Sequence, residues 1–522
     1  MSSQHTLYRP GVASGRDAQA LHRAATPEFS GWLEHTASAG GCSRPIRLSG
    51  TIAAVERVTG RVLVDQHTDE LPDRALYKAC GNRRESQCRD CAWVYQGDAY
   101  QVVRCGLTGG KGVPDSVGRH PVVFATFTAP SFGPVHHRHV PRHTCATRRR
   151  CDCRPAPCRA RSTAGTCQHG QPAACFVRHD ADDPRLGRPL CLDCYDHDHQ
   201  AVWNYFSGEL WRRTKQAMER HLAVLCRRRG LPQVQVVTDS GKVRRVPPVR
   251  VSHGKVAEMQ RRAAVHFHAV LRLDGVDPDD PDALVPPPAG ITVDDLDAAI
   301  RVAASRITVT TPAHPDRPHG WQVVWGEQLD VRRINSRGGE LTDGKVAAYL
   351  AKYATKATEA TGHISTRLTP ATIDDYADPE GDHLARLIDA CWHLGRPTGT
   401  DTTSGAATAG DRQDSLDTKS NAYAGLRRWA HMLGFGGHFL TKARRYSVTF
   451  GLLRDTRATY RRTEDDDTTD AITVGTLTYI GSGWLSDGDA LLANTAAWQR
   501  RESRRVGREE LAHAAWLIGA AA

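Results

Sequence analysis

The sequence predicts an α+β protein: a central antiparallel sheet with flanking helices, interrupted by a cysteine-rich insertion and followed by a basic C-terminal domain. Three observations predict it. Two strand-like runs, Val249–Met259 and Val265–Leu273, are joined by only Gln260-Arg261-Arg262-Ala263-Ala264, which suits antiparallel neighbours, because a parallel crossover needs about a dozen residues or more. Cysteine and histidine crowd between strand-like runs, from Cys80 to Cys105 and from His143 to His199. A Thr-, Gly-, Ala- and Asp-rich stretch at 396–420, with few apolar anchors, marks a linker before a last, arginine-bearing region. At 522 residues the chain is too long for one ordinary core.

The elements follow in order. Residues 1 to 40 are polar and weakly patterned, and are expected to be partly disordered; 46–66 mix apolar and charged positions. Pro121-Val122-Val123-Phe124-Ala125-Thr126-Phe127-Thr128-Ala129-Pro130 reads as a β-branched and aromatic strand closed by proline. Ala201–Arg229 reads as a helix, with Trp203, Phe206, Leu210 and Trp211 at helical spacing and Gly230 at its end. A loop rich in Asp, Pro and Gly at 274–290 leads to a helix at 293–306, a strand at 321–334 and a tyrosine-bearing helix at 343–360. The last region carries Gly425–Trp429, Gly434–Arg445 with Lys442, Arg444 and Arg445, and an Arg-rich helical tail from Ala490. No internal repeat of fixed period is present.

Net charge is +11, from ten lysines and fifty-nine arginines against 58 acidic residues. Arginine binds phosphate through a planar, bidentate fork, so nucleic acid is the leading partner class. No run approaches the roughly 20 apolar residues that span a bilayer, and no signal-peptide pattern opens the chain. A cytoplasmic protein without a membrane partner is the expectation. In a reducing compartment, 15 cysteines grouped with histidines point to metal rather than disulfides. Cys80, Cys88, Cys91 and Cys105 contain a Cys-x2-Cys knuckle and fit a structural Zn2+ site. The second block offers Cys145, Cys151, Cys153, Cys158, Cys167, His169, Cys175, His179, Cys191 and Cys194, enough for one or two ions, with Cys191-x2-Cys194 the clearest knuckle.

Three further elements carry chemistry. His266-Phe267-His268 lies in an apolar strand, so both imidazoles point to one side while Phe267 faces the core. Glu258, on the preceding strand, can complete a His-His-Glu set of the mixed N/O kind that suits Mg2+ or Mn2+. Tyr349 and Tyr353 stack on one helical face beside a second i, i+4 row, Lys352 and Lys356. A phenol is a poor nucleophile unless cations help it. The plain alternatives are sheet histidines, an exposed glutamate and a packed amphipathic helix.

In this order the motifs resemble the HUH endonuclease superfamily of rolling-circle replication initiators. Tyr-x-x-Lys-Tyr-x-x-Lys at 349–356 is similar to its two-tyrosine members, and Phe124-Ala125-Thr126-Phe127-Thr128 to its first motif. Gly109-Gly110-Lys111-Gly112-Val113-Pro114, Cys191-Leu192-Asp193-Cys194-Tyr195, Glu209-Leu210-Trp211-Arg212-Arg213-Thr214 and Gly437-His438-Phe439-Leu440-Thr441-Lys442 are similar to the RepSA-type initiators of actinobacterial plasmids and integrative elements. The resemblance implies an HUH-type sheet at 116–140 and 200–365, with a zinc-ribbon-like module at 71–115 and the Cys/His insertion at 141–199. It further implies a helix and linker at 366–420, a basic C-terminal domain at 421–522 and an N-terminal region at 1–70. It also implies nicking of single-stranded origin DNA by Tyr353, with Tyr349 as second nucleophile or assistant, giving a 5′-phosphotyrosine and a 3′-OH primer. No Gly-x-x-x-x-Gly-Lys-Ser/Thr loop is present, so strand separation would fall to a host helicase and the host replication machinery. The rival readings are a zinc-containing DNA-binding regulator without nuclease activity, and a relaxase or two-tyrosine transposase.

Overall fold

The computed structural model describes residues 15–141, 154–160, 165–238, 240–334, 342–355, 366–397, 422–461 and 471–520. Contacts divide the chain into two units, one made of residues 1–98 and 451–522, the other of 99–450. Residues 421–450 fall in the second unit and 451–522 in the first.

In the first unit, the strand Ile46–Glu56 pairs antiparallel with Ala471–Ser482 along one edge and with Val62–His67 and Leu76–Lys78 along the other. The N-terminal region contributes the helices Gly15–Ala24 and Phe29–His35. Its anchor is Trp32, 1% exposed. The Trp32 indole donates to Asp73 at 2.7 Å, and Asp73 also accepts from Tyr77 and from Arg23, both at 3.0 Å. Arg23 bonds Asp489 at 2.7 Å, so one carboxylate pair ties both ends of the chain into one core.

The second unit is built on a five-stranded, fully antiparallel sheet in the order Leu329–Arg333, Val122–Phe127, Val265–Gly275, Val249–Met259, Leu440–Lys442. Alternation explains the central strand. Val265, Phe267, Ala269, Leu271 and Leu273 are at most 1% exposed and lie in the main core, while His266, His268, Arg272 and Asp274 take the other face. The long helix His197–Arg228 covers the apolar face; Asp196 caps it by accepting from the His199 N–H at 2.8 Å, and Trp211 packs its ring on Phe127 and Phe267. On the opposite face, the Gly106 carbonyl and the Tyr446 ring lie against a buried ion pair. Arg272 bonds Asp274 at 2.7 Å, and Asp274 accepts from Ser252 at 2.6 Å and pairs with His120 at 2.8 Å. Buried charges persist when paired and hydrogen-bonded in this way. The helix Asp343–Ala354 contacts the strand Val249–Met259. Among the described residues, no helix is long and apolar enough to cross a membrane.

Candidate functional site

The site sits where three strands and a helix meet on the polar face of the sheet. Antiparallel register sets Glu258 directly opposite His266 and Thr126 directly opposite His268, so all four side chains leave the same face. His268 Nε2 lies 2.8 Å from Glu258 Oε2 and 3.2 Å from the Tyr349 hydroxyl, while its Nδ1 meets Thr126 Oγ1 at 3.1 Å. With the threonine accepting from Nδ1–H, Nε2 is the nitrogen that faces Glu258 and Tyr349. Phe124 stacks flat on the His268 ring, 5.8 Å between centroids, and fixes its plane.

Thr342 caps the tyrosine helix by accepting from the Lys345 N–H. Val346, Ala347, Leu350, Ala351 and Ala354 bury its inner face. The tyrosines are not part of that core. Tyr349 is 37% exposed, its ring centroid 5.0 Å from His268 and 4.6 Å from Tyr353, and Tyr353 lies 5.9 Å from His268. Lys352 is exposed. Lys356 lies outside the described residues, as do Cys145, Cys151 and Cys153.

Burial dominates the electrostatics of the site. Burial, then the neighbouring His268 and Arg262, push His266 down to about 3, so this imidazole is neutral near pH 7 and can act as a ligand. Burial first, and then the Glu258 carboxylate, push both phenols up. A tyrosinate here would be stabilised by nearby positive charge. His268 and Glu258 already converge at a spacing two ligands of one ion can adopt. His266 is not grouped with them: its Nδ1 meets Gln260 Nε2 at 3.2 Å, which leaves its other ring nitrogen as the one that could face an ion.

Three groups of Cys and His among the described residues have ligand atoms within 4.8 Å of one another and could hold a metal ion such as zinc. They are Cys42, Cys80, Cys88 and Cys91; His136, Cys158, Cys175 and His179; and Cys167, His169, Cys191 and Cys194. The first group corrects the expected ligand set, because Cys42 stands where Cys105 was expected. Cys91 and Cys105 lie on one helix, Arg89–Thr108, and 14 residues at about 1.5 Å each separate them by roughly 21 Å along its axis. Cys191 and Cys194 meet Cys167 and His169, with His169 Nδ1 at 3.2 Å from Cys194 and 3.7 Å from Cys191. Thr126, Gln260, Cys42 and His136 also belong to these sites, and spacing alone does not mark them. For Thr126 a signal existed, since aligning its strand against the histidine strand sets it opposite His268.

Geometry thus defines a mixed α/β protein with antiparallel sheets, Cys/His clusters that could hold metal, and imidazoles, a carboxylate and phenols gathered on one sheet face. A family model described as RepSA, replication initiator protein, pSAM2, matches residues 28–498. A replication initiator protein of Streptomyces ambofaciens is 38% identical over 504 residues, which cover 94% of each chain. No solved structure matches. The chain belongs to the RepSA family of replication initiator proteins.

Proposed function

We propose that the protein starts rolling-circle replication of a plasmid or integrative element by nicking origin DNA with HUH-type chemistry. The observation that carries this reading is the meeting of His268, Glu258, Tyr349 and Tyr353 from two strands and a helix. A central antiparallel sheet with a tyrosine helix across its histidine face supports an HUH-type core. His266, His268 and Glu258 would hold Mg2+ or Mn2+, and a bound ion supplies Lewis-acid polarisation of the scissile phosphate. Tyr353 attacks phosphorus, forming the phenol O–P bond and breaking the P–O3′ bond. The phenol loses a proton and the 3′ oxygen gains one, so the step balances without nucleotide hydrolysis. The product is a 5′-phosphotyrosine that stores the bond for later rejoining, and a 3′-OH primer. Tyr349, bonded to His268, assists or takes the second transfer, with Lys352 and Lys356 beside them to attract phosphate. Zinc at the cysteine clusters is structural. DNA unwinding falls to a host helicase in the cytoplasm.

The test is covalent capture. Full-length protein is incubated with single-stranded origin DNA and Mg2+ or Mn2+, and adducts are resolved on denaturing gels. Wild type and Tyr349→Phe form the 5′ adduct, and Tyr353→Phe does not. Metal-independent binding with no cleavage of any origin sequence favours the regulator instead.

A further inference from the structure

The turn Gln260–Ala264, which joins the strand of Glu258 to the strand of His266, is held from outside the sheet. Arg261 donates to the carbonyls of Ala181 at 2.7 Å and Asp183 at 3.4 Å. Gly187 lies so close to the Arg261 backbone that an added Cβ would stand 2.5 Å from the Arg261 carbonyl carbon. Residues 181–187 therefore form a cradle for this turn. Their sequence, Ala-Asp-Asp-Pro-Arg-Leu-Gly, carries too little apolar surface to offset the entropy lost on ordering its backbone.

What fixes the cradle lies at its two ends. His179, just before it, faces His136, whose backbone bonds Gly187 N at 2.8 Å and Arg188 O at 2.9 Å. His136 Nδ1 and His179 Nε2 are 3.2 Å apart, Cys175 Sγ is 3.6 Å from His179 Nε2, and Cys158 Sγ is 4.0 Å from His136 Nδ1. A tetrahedral zinc ion with bonds of about 2.05 Å to nitrogen and about 2.3 Å to sulfur has edges of about 3.3 Å between nitrogens and about 3.6 Å from nitrogen to sulfur. The spacing fits that tetrahedron to within a few tenths of an ångström. A second observation is independent of the spacing: His179 Nδ1 bonds the Asp183 carboxylate at 2.7 Å, the carboxylate–histidine pairing that aims the other ring nitrogen at a metal. The His137 N–H, 3.2 Å from Cys158 Sγ, supports a thiolate there.

We propose that His136, Cys158, Cys175 and His179 bind one zinc ion of their own, and that this ion holds the 181–187 cradle on the Gln260–Ala264 turn, fixing the spacing of Glu258 and His266. Asp183 links the two functions, because its side chain orients the ligand His179 while its carbonyl accepts from Arg261. The ligand assignment stands apart from the nicking chemistry; only the consequence for Glu258 and His266 rests on that reading.

Zinc per chain is measured by mass spectrometry on the purified full-length protein. His136→Ala and Cys175→Ser each lose one equivalent relative to wild type, His137→Ala loses none, and His136→Cys, a competent ligand, keeps it. Unchanged zinc in both His136→Ala and Cys175→Ser overturns the site. Amide hydrogen exchange reads the cradle: in His136→Ala and in Arg261→Ala, which retains all its zinc, exchange over 258–266 speeds up about tenfold or more, while the helix 197–228 is unchanged. Unaltered exchange in Arg261→Ala overturns the clamp. If the protein proves unable to nick DNA, the zinc count and the exchange rates still decide this proposal.

Discussion

Thr126→Val perturbs the site through one atom. Thr126 Oγ1 holds His268 Nδ1 at 3.1 Å, and valine keeps the shape and β-branching the strand favours while removing the acceptor. His268 can then carry its proton on Nε2, where it donates to Glu258 and no longer offers a lone pair. Loss of such a supporting bond typically costs about 10–100-fold in metal affinity, or about 1.4–2.8 kcal/mol. The fold itself loses only one partly exposed hydrogen bond, about 1 kcal/mol. Mn2+ titrations followed by electron paramagnetic resonance, with thermal unfolding measured without the ion, separate the two effects. Equal Mn2+ affinity in wild type and Thr126→Val, with the variant folded, refutes the assignment of His268 as a ligand oriented by Thr126.

Two further outcomes are expected. Cys42→Ser lowers the zinc content by one equivalent and Cys105→Ser leaves it unchanged; the reverse result would restore Cys105 to the ligand set. Lys255 is buried on the apolar face of the sheet with Nζ 3.7 Å from the Phe267 ring centroid, and burial pushes it down to about 7. Between there and the unfolded value of about 10.4, the unfolded chain binds a proton that the folded one does not, so stability rises with pH across that window and the full penalty applies below it. Lys255→Met is therefore more stable than wild type at pH 6, and its urea midpoint is flatter from pH 7 to 10. An equal rise in both proteins would show that Lys255 stays charged.

The parts of the fold legible in the sequence were those encoded locally. The helix at 293–306 and the strand pair around Gln260–Ala264 follow from periodicity and a short link, and the structure has both. The tyrosine helix was legible as a helix, but its orientation was not. That depends on which of two faces finds the sheet, and Val346, Leu350 and Ala354 rather than the phenols win the core. Cys42 was invisible because nothing near it repeats its chemistry, while Cys105, closer in sequence to the knuckle, is carried away by the rise of its own helix. His136 is one of a pair beside the strand Val122–Phe127, and only chain crossing brings it to Cys175 and His179. The pairing of Ile46–Glu56 with Ala471–Ser482 leaves no local trace at all.

That pairing sets an order of events during synthesis. The strand Ile46–Glu56 leaves the ribosome long before its partner exists. At about 5–20 residues per second, the roughly 400 intervening residues take about 20–80 s to make. Throughout that interval the early strand has an unsatisfied edge, while residues 99–450 already contain every strand of their own sheet. The unit carrying the histidines and tyrosines can thus mature first, and a chain cut short near its end would keep that unit while its two-ended companion stayed open. Premature termination would then yield a nearly full-length chain that chaperones and proteases recognise by its orphaned strand.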